Sequence, residues 1–208
     1  RRTMQMYMSG LLLQAAIVAA MESKRLGFTK KAMLVVPNHT LTNWQIVMQT
    51  AYPGANILLP DPSDLTKGKR SEFMSRIAIN HWDTILVPFS SFKLLPVSSD
   101  TLKDFYLEQI DELEAHLLDL KGDKHGKRAV KEIEKALKRF QVKLDTLSSF
   151  DKDDEGTITW EELGVDMLIV DEMHGFKNLY YSSKMTRIAG LTNSDSQRAF
   201  DMFVKFRW

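Results

Sequence analysis

The feature that most constrains this chain is an alternation of short apolar runs with amphipathic stretches. The runs are "KAMLVVP" (31–37), "ANILLP" (55–60), "DTILVPF" (83–89) and "VDMLIVDE" (165–172). Each is strand-length, and its apolar residues are consecutive rather than alternating with polar ones, the pattern of a strand covered on both faces. "TLTNWQIVMQTAY" (40–52) instead spaces its apolar residues helically, with Leu41, Trp44, Val47 and Met48 on one face. "SEFMSRIAINH" (71–81) reads as a helix too, and so do residues 10–26, with Gly27 as their stop. Strands and helices in turn predict an α/β fold of three layers around a mainly parallel sheet.

The alternation breaks between residues 100 and 148, where the pattern is purely helical. Leu107, Ile110, Leu113, Leu117 and Leu120 recur at intervals of three and four, and Val130, Ile133, Leu137, Phe140, Leu144 and Leu147 do the same after "GDKHG". An antiparallel helical hairpin, inserted into the α/β core, is expected there. Its first helix carries Asp104, Glu108, Asp111, Glu112, Glu114 and Asp119; its second carries Lys127, Arg128, Lys131, Lys135, Lys138, Arg139 and Lys143. Charge pairing between the two helices accounts for this most simply. Lysine rows at helical spacing also suit a nucleic-acid backbone.

Global charge does not choose between those readings, because 28 basic and 27 acidic residues leave a net charge of +1. The absence of cysteine excludes disulfides and cysteine-ligated zinc, which suits a cytoplasmic protein. The apolar stretch Gly10 to Met21 falls short of the roughly 20 residues of a membrane span, so no membrane partner is expected. The chain opens without Met and stops at "VKFRW", inside an amphipathic pattern, so it is expected to be a piece of a longer protein.

Chemistry concentrates in "MLIVDEMHGF" (167–176), where an apolar run meets Asp171 and Glu172. In open parallel sheets, ligands sit beyond the carboxyl ends of the strands. A nucleoside triphosphate needs magnesium across its phosphates, and magnesium takes one or two carboxylates plus water. Asp171 suits the metal, Glu172 suits polarisation of an attacking water, and His174 suits coupling of the two to a moving part. The plainer alternative is that both acids are the solvated start of a loop. "DKDDEGTITWEE" (151–162) matches a calcium loop at positions 1, 3, 5, 6 and 12, but position 5 is Glu and a buried strand, not a helix, follows. It reads better as a polar turn. Single residues have ordinary readings as well: His39 as a loop residue, Trp44, Trp82 and Trp160 as core or rim, and Lys177, Lys184, Arg187 and Arg198 as surface charge.

"LIVDEMH" resembles motif II of superfamily-two helicases and translocases, the DEAD/DEAH-like group. "DEMHGFKNLYYSSK" is similar to the Swi/Snf-type continuation, with Lys177-Asn178 and Ser183-Lys184 at the matching positions. "MLVVPNHTLTNWQ" resembles motif Ia, and "TILVPFSSF" the next conserved block. The resemblance covers nearly all 208 residues and is strongest to helicase modules of phage and plasmid proteins that also carry an adenine-specific DNA methyltransferase.

It implies a first RecA-like lobe over residues 1–208, with residues 100–148 as the hairpin insertion. It implies ATP and Mg2+ as cofactors, with Asp171 on Mg-ATP and Glu172 and His174 as catalytic residues. It implies double-stranded DNA as partner, met by Pro37, Asn38, His39, Ser90, Ser91, Lys177, Asn178 and Lys184. A second RecA-like lobe, and a methyltransferase domain in the same parent, are further implied partners. The sequence departs from the family in lacking the phosphate-binding G-x-x-x-x-G-K-[ST] loop. Ungapped, Ser9 to Leu13 fall there, with Leu12 in place of the essential lysine. This chain alone is therefore expected to bind ATP weakly and hydrolyse it negligibly. The alternative function is a non-catalytic nucleic-acid or protein interaction module that retains the fold.

Overall fold

β1 (Ala32–Val36) is buried at every position, as its unbroken apolar run requires. The computed structural model describes residues 2–66, 69–120, 127–150, 158–176 and 196–207. β1 pairs in parallel with β3 (Thr84–Pro88) on one side and β4 (Met167–Val170) on the other. β2 (Ile57–Leu58) adds to the far side of β3, giving the order β2-β3-β1-β4. β2 is shorter than its apolar run. It lies at the edge of the sheet, and Pro60 closes the run with a residue that has no N–H to give. β4 is half-buried throughout rather than covered, because among the described residues it is the other edge strand.

The chain runs from β1 to β2 in one direction and back from β2 to β3. Right-handed crossovers then place α2 (Leu41–Ala51) and α3 (Arg70–Ile79) on opposite faces. On one face Ala32, Leu34, Val36 and Leu86 pack with Trp44 and Met48 of α2 and with Leu13, Ile17 and Ala20 of α1 (Arg2–Arg25). Met33, Val35, Ile85 and Val87 point to the other face by strand alternation, and α3 buries Phe73, Met74 and Ile77.

α1 stops where the sequence indicates. Gly27 adopts φ +77°, its N–H reaches Lys24 O at 3.0 Å, and Phe28 N–H reaches Ser23 O at 2.8 Å. That bond pair is the Schellman arrangement, which needs a left-handed residue at the position Gly27 occupies.

Two aspartates set strand starts at the opposite edge of the sheet from the DEMH segment. Asp166, just before β4, accepts from the N–H groups of Lys30 (2.7 Å) and Lys31 (2.9 Å), which precede β1. Asp83, just before β3, accepts from Asn56 N–H (2.7 Å) and pairs with Lys24 Nζ (2.9 Å). Lys31 Nζ completes this edge by donating to the carbonyls of Ile77 (2.6 Å), Ala78 (3.1 Å) and Leu163 (2.9 Å).

The chain divides into two compact units, Arg1–Pro96 with Ile158–Gly175, and Val97–Thr157 with Phe176–Trp208. The sheet lies in the first, where a single helical turn, α4 (Phe89–Phe92), follows β3. In the second, α5 (Ser99–Leu120) and α6 (Lys127–Phe150) pack antiparallel: Tyr106 meets Phe140 with ring centroids 5.8 Å apart, and Leu113 packs with Ile133 and Ala136. α7 (Gln197–Arg207) joins them, setting Phe200 and Val204 against Phe105 and Tyr106. Among the described residues no helix is long and apolar enough to cross a membrane.

Candidate functional site

The tips of β3, β1 and β4 are brought level by the register. Val36 stands opposite Pro88, Val35 opposite Val170, and Asp171 N–H extends the ladder to Val35 O at 2.9 Å. The segments that follow therefore emerge together at the carboxyl edge: Pro37-Asn38-His39 from β1, Phe89-Ser90-Ser91 from β3, and Asp171-Glu172 from β4.

The first two are tied to each other. Asn38 Nδ2 donates to Ser90 Oγ at 2.7 Å, and Ser90 N–H donates back to Asn38 Oδ1 at 3.3 Å. Asn38 and His39 are exposed, whereas Pro37 is buried. Ser91 is buried as well, so its side chain lines the inside of the β3 tip rather than its surface. Its Oγ has no hydrogen-bond partner among the described residues.

Asp171 is pinned at both oxygens. Oδ1 accepts from Glu172 N–H at 2.9 Å, and Oδ2 accepts from the indole N–H of Trp44 at 3.2 Å. Glu172 takes φ +49°, the one left-handed non-glycine among the described residues. A side chain is rarely held there, and such conformations gather at functional sites. The turn is closed by Gly175 N–H on Glu172 O at 2.9 Å. Within it His174 Nδ1 stands 2.8 Å from Glu172 Oε2, with both side chains open to solvent. Lys177, Asn178 and Lys184 lie outside the described residues, as do residues 151–157 of the calcium-like run.

Among the described residues no cluster of three or more His, Cys, Asp or Glu side chains is arranged to hold a metal by itself. Magnesium does not need one. It takes one or two carboxylates and fills its remaining positions with water and phosphate oxygens. Asp171 offers hard oxygens, and each has used one of its two acceptor positions. The residues present thus fit a magnesium ion that comes with its nucleotide.

The Trp44–Asp171 bond escaped the sequence reading, which left Trp44 as a core or rim residue. The structure puts it in the core, at 3 % exposure. The available signal was chemical: a buried indole N–H needs an acceptor, and Asp171 at the tip of a neighbouring strand supplies it.

Fold and site together define an α/β protein with a parallel sheet, whose polar and acidic side chains gather at the carboxyl edge. A family model described as a probable helicase domain matches residues 9–208, and the chain belongs to that family. Curated proteins and solved structures give no match to it.

Proposed function

We propose that this chain is the first RecA-like lobe of an ATP-dependent DNA helicase or translocase of the Swi/Snf-like type. In this reading it works within a longer protein that supplies a second lobe and an adenine-specific DNA methyltransferase domain. The observation that carries the proposal is the placement of Asp171 and Glu172 at the tip of β4, level with the β1 and β3 tips, in a member of a helicase family.

Asp171 is the group that holds the metal, and Glu172 is the base that orients water toward the terminal phosphate. His174 steadies Glu172 from 2.8 Å. Bound magnesium supplies neutralisation of phosphate charge. The Asn38–Ser90 pair fixes the β1 and β3 tips as one surface for the DNA backbone, with His39 exposed beside it. Lys177, Asn178 and Lys184 are assigned to that surface by resemblance alone. α5 and α6 are the hairpin insertion of the lobe.

One observation favours a second reading. Residues 9–13, the ungapped counterpart of the phosphate loop, lie within α1, where backbone N–H groups are committed to the helix. A non-catalytic nucleic-acid or protein interaction module would have no use for that loop.

ATP hydrolysis by the full-length protein, measured with and without duplex DNA, separates the two. The motor reading expects hydrolysis that DNA stimulates. DNA binding without hydrolysis would favour the second reading in its nucleic-acid form, and the absence of both would overturn the motor and leave only a protein interaction module.

A further inference from the structure

Trp44 sits in the first turn and a half of α2, and its ring packs in the core formed with Leu34, Val36 and Met48. Phenylalanine would fill most of that space. The indole differs in carrying one N–H, a donor that can accept nothing in return. That donor is spent on Oδ2 of Asp171, 127 positions away in sequence and on a different element. The other oxygen is held by Glu172 N–H, so a side-chain donor from α2 and a backbone donor at the strand tip fix the plane of one carboxylate.

We propose that Trp44 is a positioning residue, holding the Asp171 carboxylate in the orientation that receives a divalent metal–nucleotide complex. The inference rests on the reading of Asp171 given above. Outer partners of this kind orient a metal ligand without touching the metal, and losing one typically weakens metal affinity about 10- to 100-fold. Each oxygen accepts one hydrogen bond where it can accept two, so the indole bond orients the group without saturating it.

The test uses the full-length protein and manganese as a spectroscopic stand-in for magnesium. Mn2+·ADP binding is followed by electron paramagnetic resonance in the wild type and in Trp44→Phe. The expected result is about a tenfold weaker Mn2+·ADP complex in the variant, with affinity for metal-free ADP unchanged. The magnesium concentration for half-maximal hydrolysis should rise by a similar factor, with kcat at saturating magnesium largely retained.

Equal Mn2+·ADP affinity in the two proteins would overturn the role of Trp44 and leave the site itself standing. A parallel loss of metal-free ADP affinity would also overturn it, since that marks a merely structural residue. No Mn2+·ADP binding by the wild type would overturn this inference and the assignment of Asp171 together. Should the variant fold poorly, the unaltered protein still decides: with 15N-tryptophan labelling, one buried indole N–H resonance must shift when Mg2+·ADP is added, and its failure to move overturns the proposal.

Discussion

Replacing Lys31 with methionine tests how much the amino edge of the sheet contributes to stability. The substitution keeps the length and apolar character of the stem and removes the ammonium. Three carbonyls, Ile77, Ala78 and Leu163, then lose their donor. Two belong to the last turn of α3, where carbonyls have no partner within the helix. Bonds from a charged donor contribute about 1.5–3 kcal/mol each. Most of that sum is offset, because the half-buried ammonium no longer has to be desolvated. The expected net loss is about 1–3 kcal/mol, a fall in midpoint of about 2–12 °C for a protein of this size. Burial lowers the Lys31 amine below its ordinary value; the charge of Asp166 opposes this and Lys24 adds to it. Between that lowered value and the ordinary lysine value of about 10.4, the unfolded chain binds more protons than the folded one, so stability rises with pH. The assay is thermal or urea unfolding at neutral and alkaline pH, with Lys30→Met as an exposed control expected within about 0.5 kcal/mol. A Lys31→Met variant as stable as that control, with the alkaline rise intact, would refute the role given to Lys31.

Asp83 contributes on the acid side. Burial raises its carboxyl, but the Asn56 N–H and the Lys24 ammonium together outweigh this and leave it below the ordinary value. Its contribution is thus present above about pH 4 and is lost as pH falls through the lowered value; Asp83→Asn should flatten that acid limb in urea unfolding between about pH 5 and pH 2. In the second unit, Phe200 lies 5.4 Å from Phe105 and 5.6 Å from Tyr106, ring to ring, with Lys143 Nζ 4.8 Å above it. Phe200→Ala should cost about 3–5 kcal/mol, read as loss of near-ultraviolet dichroism and unfolding at lower denaturant, while an unchanged midpoint would show that α7 does not share a core with α5.

The sheet was legible because its strands are uninterrupted apolar runs, and that pattern survives any tertiary context. Ala32–Val36 and Thr84–Pro88 fall inside the expected runs, and α2 lies within the expected helix. Strand order was not legible: nothing local in "ANILLP" says that it pairs with β3 and not β1. α7 was missed as a core element because its partners, Phe105 and Tyr106, are some ninety positions away, and "QRAFDMFVKFR" alone resembles any surface helix. The acids at the β4 tip were evident from composition, but their surroundings were not. The left-handed turn at Glu172 and the indole on Asp171 depend on backbone and contacts that no spacing rule encodes.

The central question is whether Asp171 and Glu172 form a reacting site or only the solvated end of a strand. Single-turnover ATP hydrolysis and magnesium-dependent nucleotide binding, measured on Glu172→Gln and Asp171→Ala in the full-length protein, address it directly. Glu172→Gln should leave nucleotide binding largely intact and slow hydrolysis at least about a hundredfold, the low end of what a positioned base contributes. Asp171→Ala should instead weaken nucleotide binding in the presence of magnesium. Two variants that both hydrolyse ATP at near wild-type rates would contradict the site and leave a solvated strand end in its place.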